Sequence, residues 1–374
     1  MACSHPVPIC LFLEGTTMTT PFDPIKVGPY ELKNRIAMAP MTRSRAYGPD
    51  RSPSPMAAEY YAQRASAGLI ITEGTQPNVI GQGYPFTPGL HSATQVQAWR
   101  QVTDAVHTKG GVIFAQIMHT GRIGHPANYD TPLTPTGPSA VQAAGQTFTP
   151  AGMQDFVVPT EMTAGDIRRT VQDFAAAARN AIDAGFDGVE IHGANGYLLQ
   201  QFLSTNANTR SDEWGGSPHN RIRFTTEVVE AVAAAIGASR TGLRISPANP
   251  FNDIVEDDYT QTYPLLVEAL DPLGLAYLHV METTAPDLTP LLREQWNGVF
   301  ILNPATPGSR TGAEQLPLIE GGAADILTFG QLFMANADLP HRLATRAPLN
   351  EADMSKAYGG DASGYTDYPA LDNS

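Results

Sequence analysis

The chain is poor in cysteine, in positive charge and in long apolar runs, and each shortage excludes a class of protein. Cys3 and Cys10 are the only cysteines in 374 residues, which leaves no disulfide framework, thiolate metal cluster or cysteine nucleophile in the body. No metal site is expected, and this usage suits a reducing cytoplasm. Lys plus Arg number 23 against 37 Asp plus Glu, a formal charge of -14. Nucleic acid and anionic membrane surfaces would be repelled on average, so neither is expected as a partner. No window reaches the roughly 18 apolar residues of a membrane-spanning helix. The apolar patch from Val7 to Leu13 is short, broken by proline and lacks the basic start of a secretory signal. Residues 1–20 are therefore expected to be a flexible N-terminal extension, with either Met1 or Met18 starting translation. No G-x-G-x-x-G follows the first strand pattern, which argues against a Rossmann half.

What the chain does have is repetition. Short apolar runs alternate with amphipathic ones: RIAMAP from Arg35, LIITEG from Leu69, VIFAQIMH from Val112, GVEIHG from Gly188, TGLRIS from Thr241, YLHVME from Tyr277, VFILNP from Val299 and ILTFGQ from Ile326. None alternates cleanly, as expected of parallel strands covered on both faces. Between them the periodicity predicts helices over Thr94 to Lys109, from Met162 to a stop at Gly185, and over Arg221 to Ile236, with shorter ones after Thr289 and Thr311. In the second, Thr163 and Asp166 form a capping-box start, and Ile167, Val171, Phe174, Ala178 and Ile182 recur at spacings of three or four. Eight such repeats predict an α/β architecture, one (β/α)8 TIM barrel domain over residues 21–374, with a long Gly- and Pro-rich loop at 120–161 after the third strand.

In such a barrel the residues just past each strand share one face, where the chemistry sits. The fourth exit is the richest, with His192, Asn195 and Tyr197 within six residues. An imidazole and an amide can both donate to one oxygen, and a phenol with reference pKa near 10 can supply a proton, which together suit a developing enolate. A histidine capping a helix and a tyrosine packed on the rim would leave the same pattern.

The segment HGANGYLLQQFLSTNANTRSDEWGGSPHNR resembles the old yellow enzyme family of FMN-dependent ene-reductases. So do NRIAMAPMTRSRA, IITEGTQ with GYPFTPGLHS, FAQIMHTGRIGH, LRISPANPFN, FGQLFMANADLP and YGGDASGYTDYP, in order from Pro21 to Leu371. The resemblance implies FMN as cofactor, NADPH or NADH as hydride donor, and an activated alkene as substrate. It implies FMN contacts from Pro40, Met41, Thr42, Gly74, Gln116, Arg244, Asn303, Gly330 and Gln331. Thr42 looks like the hydroxyl at the flavin C4 carbonyl, Gln116 the amide at the pyrimidine edge and Arg244 the cation beside N1 and O2, which favours reduced anionic flavin. His192 and Asn195 resemble the pair that binds the substrate oxygen, and Tyr197 the proton donor. Tyr84, Met118, Phe251 and Tyr358 resemble residues around the substrate.

Three positions sort the chain within the family. Thr42 stands where one branch carries cysteine, which disfavours that thiol-tuned branch. Met118 stands where many relatives have tryptophan, and is expected to open one wall of the pocket. Gln331 stands where relatives usually hold the phosphate with arginine; Arg310 is a candidate substitute cation, beside backbone N–H groups after the seventh and eighth strands. Two other readings remain. A cofactor-free barrel lyase or isomerase needs a lysine or paired carboxylates at the exits, where only Glu73, Glu190 and Glu282 are acidic. A flavin-binding protein with little turnover would not need the His192, Asn195 and Tyr197 set. The assembly is expected to be a monomer or small homo-oligomer.

Overall fold

Each apolar run forms a strand, and in the computed structural model, which describes residues 19–131 and 133–371, the strands close on themselves. They are β1 (Ile36–Met38), β2 (Leu69–Thr75), β3 (Ile113–Ile117), β4 (Gly188–Gly193), β5 (Thr241–Ile245), β6 (Tyr277–Met281), β7 (Phe300–Asn303) and β8 (Ile326–Phe329). Each pairs in parallel with the next, and β8 pairs with β1 to complete the barrel. The expected extension over residues 1–20 lies, apart from Thr19 and Thr20, outside the described residues.

The period of two along each strand sorts the barrel interior into layers. Phe114, Tyr277, Ile301 and Ile326 belong to an apolar lower cluster. Two residues further along the same strands come Gln116, His279, Asn303 and Thr328, so a polar layer lies above it. Gly188 and Gly242 make room for the two large rings. A Cβ on Gly188 would stand 2.5 Å from the Phe114 ring, and one on Gly242 would stand 2.4 Å from Tyr277. The foot of the barrel is closed by a hairpin that periodicity did not reveal, Ile25–Val27 with Tyr30–Leu32, whose Val27 and Leu32 join the lower cluster.

Outside run, among other helices, α1 (Met56–Gln63), α2 (Ala93–Thr108), α3 (Ala164–Asp183) and α4 (Pro218–Ile236). The Thr163–Asp166 capping box opens α3 as expected, and Ile167, Val171, Phe174 and Ala178 are buried along it. The loop over 120–161 is not structureless. Thr136–Gly137 pairs with Thr160–Glu161, and Gln146–Thr149 forms an antiparallel hairpin with Gly152–Asp155. In QTFTPAGMQD only the first strand, with Thr147, Phe148 and Thr149 before Pro150, carries a β-prone pattern.

Candidate active site

At the end of β4 the backbone turns through two left-handed residues, Asn195 at φ 55 and Gly196 at φ 71. A Cβ on Gly196 would lie 2.4 Å from the Phe251 carbonyl oxygen, so glycine is what admits the loop after β5 at this distance. That loop then fixes Asn195. Its Oδ1 accepts from Asn249 Nδ2 at 2.9 Å, its carbonyl accepts from Asn252 Nδ2 at 2.8 Å, and its N–H donates to Ser246 Oγ at 2.9 Å. With the side-chain oxygen engaged, the Nδ2 group is the half left for a ligand. Asn249 and Asn252 were not singled out in the sequence, although they stand in the SPANPFN motif.

His192 is oriented by the same logic. Its Nδ1 accepts the Ala194 N–H at 3.2 Å, so a neutral ring carries its proton on Nε2. Burial, reinforced by the Arg244 and His279 charges, pushes the imidazole well below its ordinary pKa and keeps it neutral. The outcome is a fixed Nε2–H donor. Tyr197 follows, its ring 5.1 Å from that of His192 and its hydroxyl 3.0 Å from that of Tyr84. Burial, then the Tyr84 hydroxyl, raises the Tyr197 phenol well above its usual value, so it stays protonated.

Below this exit the polar layer is hydrogen-bonded from strand to strand. Gln116 Nε2 donates to Glu190 Oε1 at 2.7 Å, and Glu190 Oε2 meets His279 Nδ1 at 2.8 Å. Arg244, paired in register with both His192 and His279, donates to Asn303 Oδ1 at 3.0 Å. Its Nε is buried without a partner among the described residues, an orphan donor that an anionic or carbonyl-bearing ligand would satisfy. The first and eighth exits meet as well. Ala39 N donates to the Phe329 carbonyl at 3.1 Å, and Met41 Sδ lies 3.7 Å from where a Gly330 Cβ would be, which brings Pro40, Met41 and Thr42 beside Gly330.

Above lies a cavity of about 580 Å³, lined in part by Thr42, Tyr84, Phe148, Tyr197, Phe251 and Tyr358. The wall carrying Tyr358 is the C-terminal segment, and it is clamped to the first exit. Arg43 donates to the Ala357 and Gly364 carbonyls at 2.9 and 2.8 Å, and Arg45 donates to the Lys356 carbonyl at 3.0 Å. The Tyr365 ring stacks on Tyr60 at 4.1 Å, with the Arg43 guanidinium 5.0 Å from each ring. These arginines follow Thr42 directly in MTRSR, a basic pattern that local reading would assign to solvent.

Three of the residues named from the sequence have partners that no local pattern signals. Met118 lies behind Tyr197 at the edge of the cavity. It is buried against Gly74, whose Cβ would come within 2.8 Å of its sulfur, and packs with Ile123, Phe156 and Tyr197, because the long loop folds over it. Arg310 is not free for a phosphate, since both of its terminal nitrogens pair with Glu351 at 2.6 Å. Gln331 opens the short helix Gln331–Ala335, where its exposed amide contacts Met354 Sδ at 3.6 Å. The backbone N–H groups of that helix start have no intrahelical partners.

The model of the NADH:flavin oxidoreductase / NADH oxidase family matches residues 21–350. The chain belongs to that family. It is 42% identical over 364 residues to 12-oxophytodienoate reductase 1 of Oryza sativa subsp. japonica, covering 93% of this chain and 92% of the relative. The solved old yellow enzyme homologue from Zymomonas mobilis superposes with TM-score 0.90 at 40% identity, over 94% of this chain and all of that one. Morphinone reductase in complex with tetrahydroNAD superposes with TM-score 0.89 at 39% identity, over 95% and 98%. The resemblance to old yellow enzymes is thus confirmed, and with it a flavoprotein oxidoreductase using FMN and a nicotinamide donor. The cofactor-free lyase reading is set aside. Among the described residues no helix is long and apolar enough to cross a membrane.

Proposed function

We propose that this enzyme reduces the activated C=C bond of an enone, enal, maleimide or nitroalkene at the β4 exit, in the cytoplasm, as a monomer or small homo-oligomer. The observation that carries the reading is that His192 and Asn195 each have their acceptor atom already occupied, leaving Nε2–H and Nδ2–H as donors beside the Tyr197 hydroxyl. Two donors held before the reaction begins stabilise an oxygen that gains negative charge more than they stabilise the neutral substrate. Tyr197 then delivers a proton to the α carbon, a phenol being protonated at neutral pH yet able to quench an enolate. Tyr84, hydrogen-bonded to it, orients the hydroxyl.

The residues present fit FMN on their own chemistry. Arg244 has an orphan buried N–H, and Thr42 Oγ1 and Gln116 Oε1 have no hydrogen-bond partner among the described residues, which offers a cation, a donor and an acceptor beneath an open cavity. FMN, when bound, supplies the hydride-carrying group that the nicotinamide reduces and the alkene reoxidises. Gly330, Gln331 and the helix start behind them are the groups left for its phosphate. Anaerobic addition of NADPH to the purified holoenzyme should bleach its visible absorbance, and 2-cyclohexenone should restore it. A bleached protein that no activated alkene recolours would leave a flavin-binding protein without this turnover.

A further inference from the structure

Glu190 is a carboxylate sealed inside the barrel, with no solvent exposure, directly below the cavity floor. Burying such a group without a purpose is costly, and it is satisfied here from two other strands. Gln116 of β3 donates to one oxygen, and His279 of β6 donates Nδ1–H to the other while its Nε2 lies 3.2 Å from Thr328 Oγ1 of β8. Burial would raise the carboxyl, but His279, Arg244 and Gln116 together hold it below its ordinary value, so it is ionised. Its charge is also the strongest acting on Arg244, which is itself buried.

An ionised carboxylate only accepts hydrogen bonds. Although a free amide rotates either way, the nitrogen of Gln116 must face Glu190, and the carbonyl oxygen must face away from it. Resting on the FMN reading above, we infer that Glu190 is a positioning residue: it locks Gln116 so that an acceptor is presented to the cofactor's pyrimidine edge, and it balances the buried Arg244 charge beside that edge. Without it the amide has two orientations of similar energy, one of which sets an N–H against the ring's own N–H. The charge balance is a separate effect, because it reaches the cofactor through Arg244 and not through Gln116.

The test compares wild type, Glu190→Gln, Glu190→Asp, Gln116→Ala and the Glu190→Gln/Gln116→Ala double variant. FMN affinity is read by fluorescence quenching, the midpoint potential by anaerobic dye equilibration, and folding by the melting of each apoprotein. A charge-assisted bond contributes about 1.5–3 kcal/mol, so Glu190→Gln should weaken FMN binding roughly tenfold or more and shift the potential upward, as a buried negative charge is lost. Glu190→Asp keeps the charge but withdraws it from Gln116, so affinity should fall while the potential stays near that of wild type. In the Gln116→Ala background, replacing Glu190 should no longer change affinity. Variants that melt lower yet bind FMN with wild-type affinity and potential would reduce Glu190 to a packing role. An affinity loss that persists without Gln116 would overturn the locking. Should Glu190→Gln fail to fold, Glu190→Asp decides the same question. Wild type that takes up no FMN would sink the functional reading itself, whereas wild type that binds with unaffected variants sinks only this inference.

Discussion

The floor of the site and its rim are built by opposite means. On the floor, Gln116, His192 and Arg244 are 2%, 3% and 4% exposed and stand on adjacent strands, with Gln116 bonded to Glu190, Arg244 to Asn303 and His192 to the Ala194 N–H. At the rim, Phe148, Phe251 and Tyr358 are 58%, 55% and 66% exposed, arise from three separate loops and offer mainly aromatic ring surface. The floor holds one constellation, since Gln116 and Arg244 are fixed by neighbours on other strands and His192 by the backbone of its own exit. The rim leaves its rings room to move, which suits acceptors of differing bulk. Tyr197 joins the two regions, touching His192 on one side and Tyr84 on the other.

That contrast can be broken most severely at the junction. Tyr197→Phe removes the proton donor without emptying the cavity, and should slow reoxidation by enones by roughly 10²–10⁴-fold while leaving reduction by NADPH largely intact. Stopped-flow measurement of the two half-reactions checks this, and equal slowing of both would argue against a proton-donor role. On the floor, His192→Ala removes one preorganised donor and should raise the barrier to alkene reduction by about 2.7–4 kcal/mol. Its signature is a fall in kcat that 2-cyclohexenone shows at saturation.

A smaller effect lies in the support behind the junction. Glu256 accepts from Tyr263 Oη at 2.8 Å and from the Ala248 N–H at 2.8 Å, and burial pushes its carboxyl up to about 7. Because the folded pKa exceeds the unfolded value near 4.5, the fold holds this proton more tightly than the unfolded chain does. The resulting stabilisation, on the order of 3 kcal/mol, is fully present below pH 4.5, is lost as pH rises through about 7, and changes little beyond. Glu73, also raised to about 7 by burial, acts in the same direction. Melting temperature should therefore decline between pH 5 and 7.5, less steeply in Glu256→Gln; parallel curves would refute the assignment. The mildest change belongs to the rim. Phe148→Ala should alter stability by under about 0.5 kcal/mol, raising KM severalfold for bulky acceptors and hardly at all for 2-cyclohexenone. A uniform change across an acceptor series would show that the rim does not discriminate by size.

Much of this could be read along the chain because it is local or repeated. The eight strands fall where the apolar runs place them, and α3 begins at its Thr163 capping box, since burial on both faces and helix capping each leave a signature within a few residues. His192, Asn195 and Tyr197 could be found because they share one exit. The seat of Met118 could not be read for the converse reason: its neighbours Ile123, Phe156 and Tyr197 come from the folded loop and from the β4 exit, and no local pattern says that Gly74 will leave it room. Arg310 looked like a free cation because Glu351 lies far along the chain.

Periodicity and motif were thus enough to establish the barrel, the family and the residues of the β4 exit, because those depend on which side chain follows which. They could not tell which end of the Asn195 and Gln116 amides is free, or that Glu190 meets His279 inside the barrel. Those features arise only when strands distant in sequence come into register, where a hydrogen bond from a neighbouring strand selects one orientation of a group that would otherwise rotate freely.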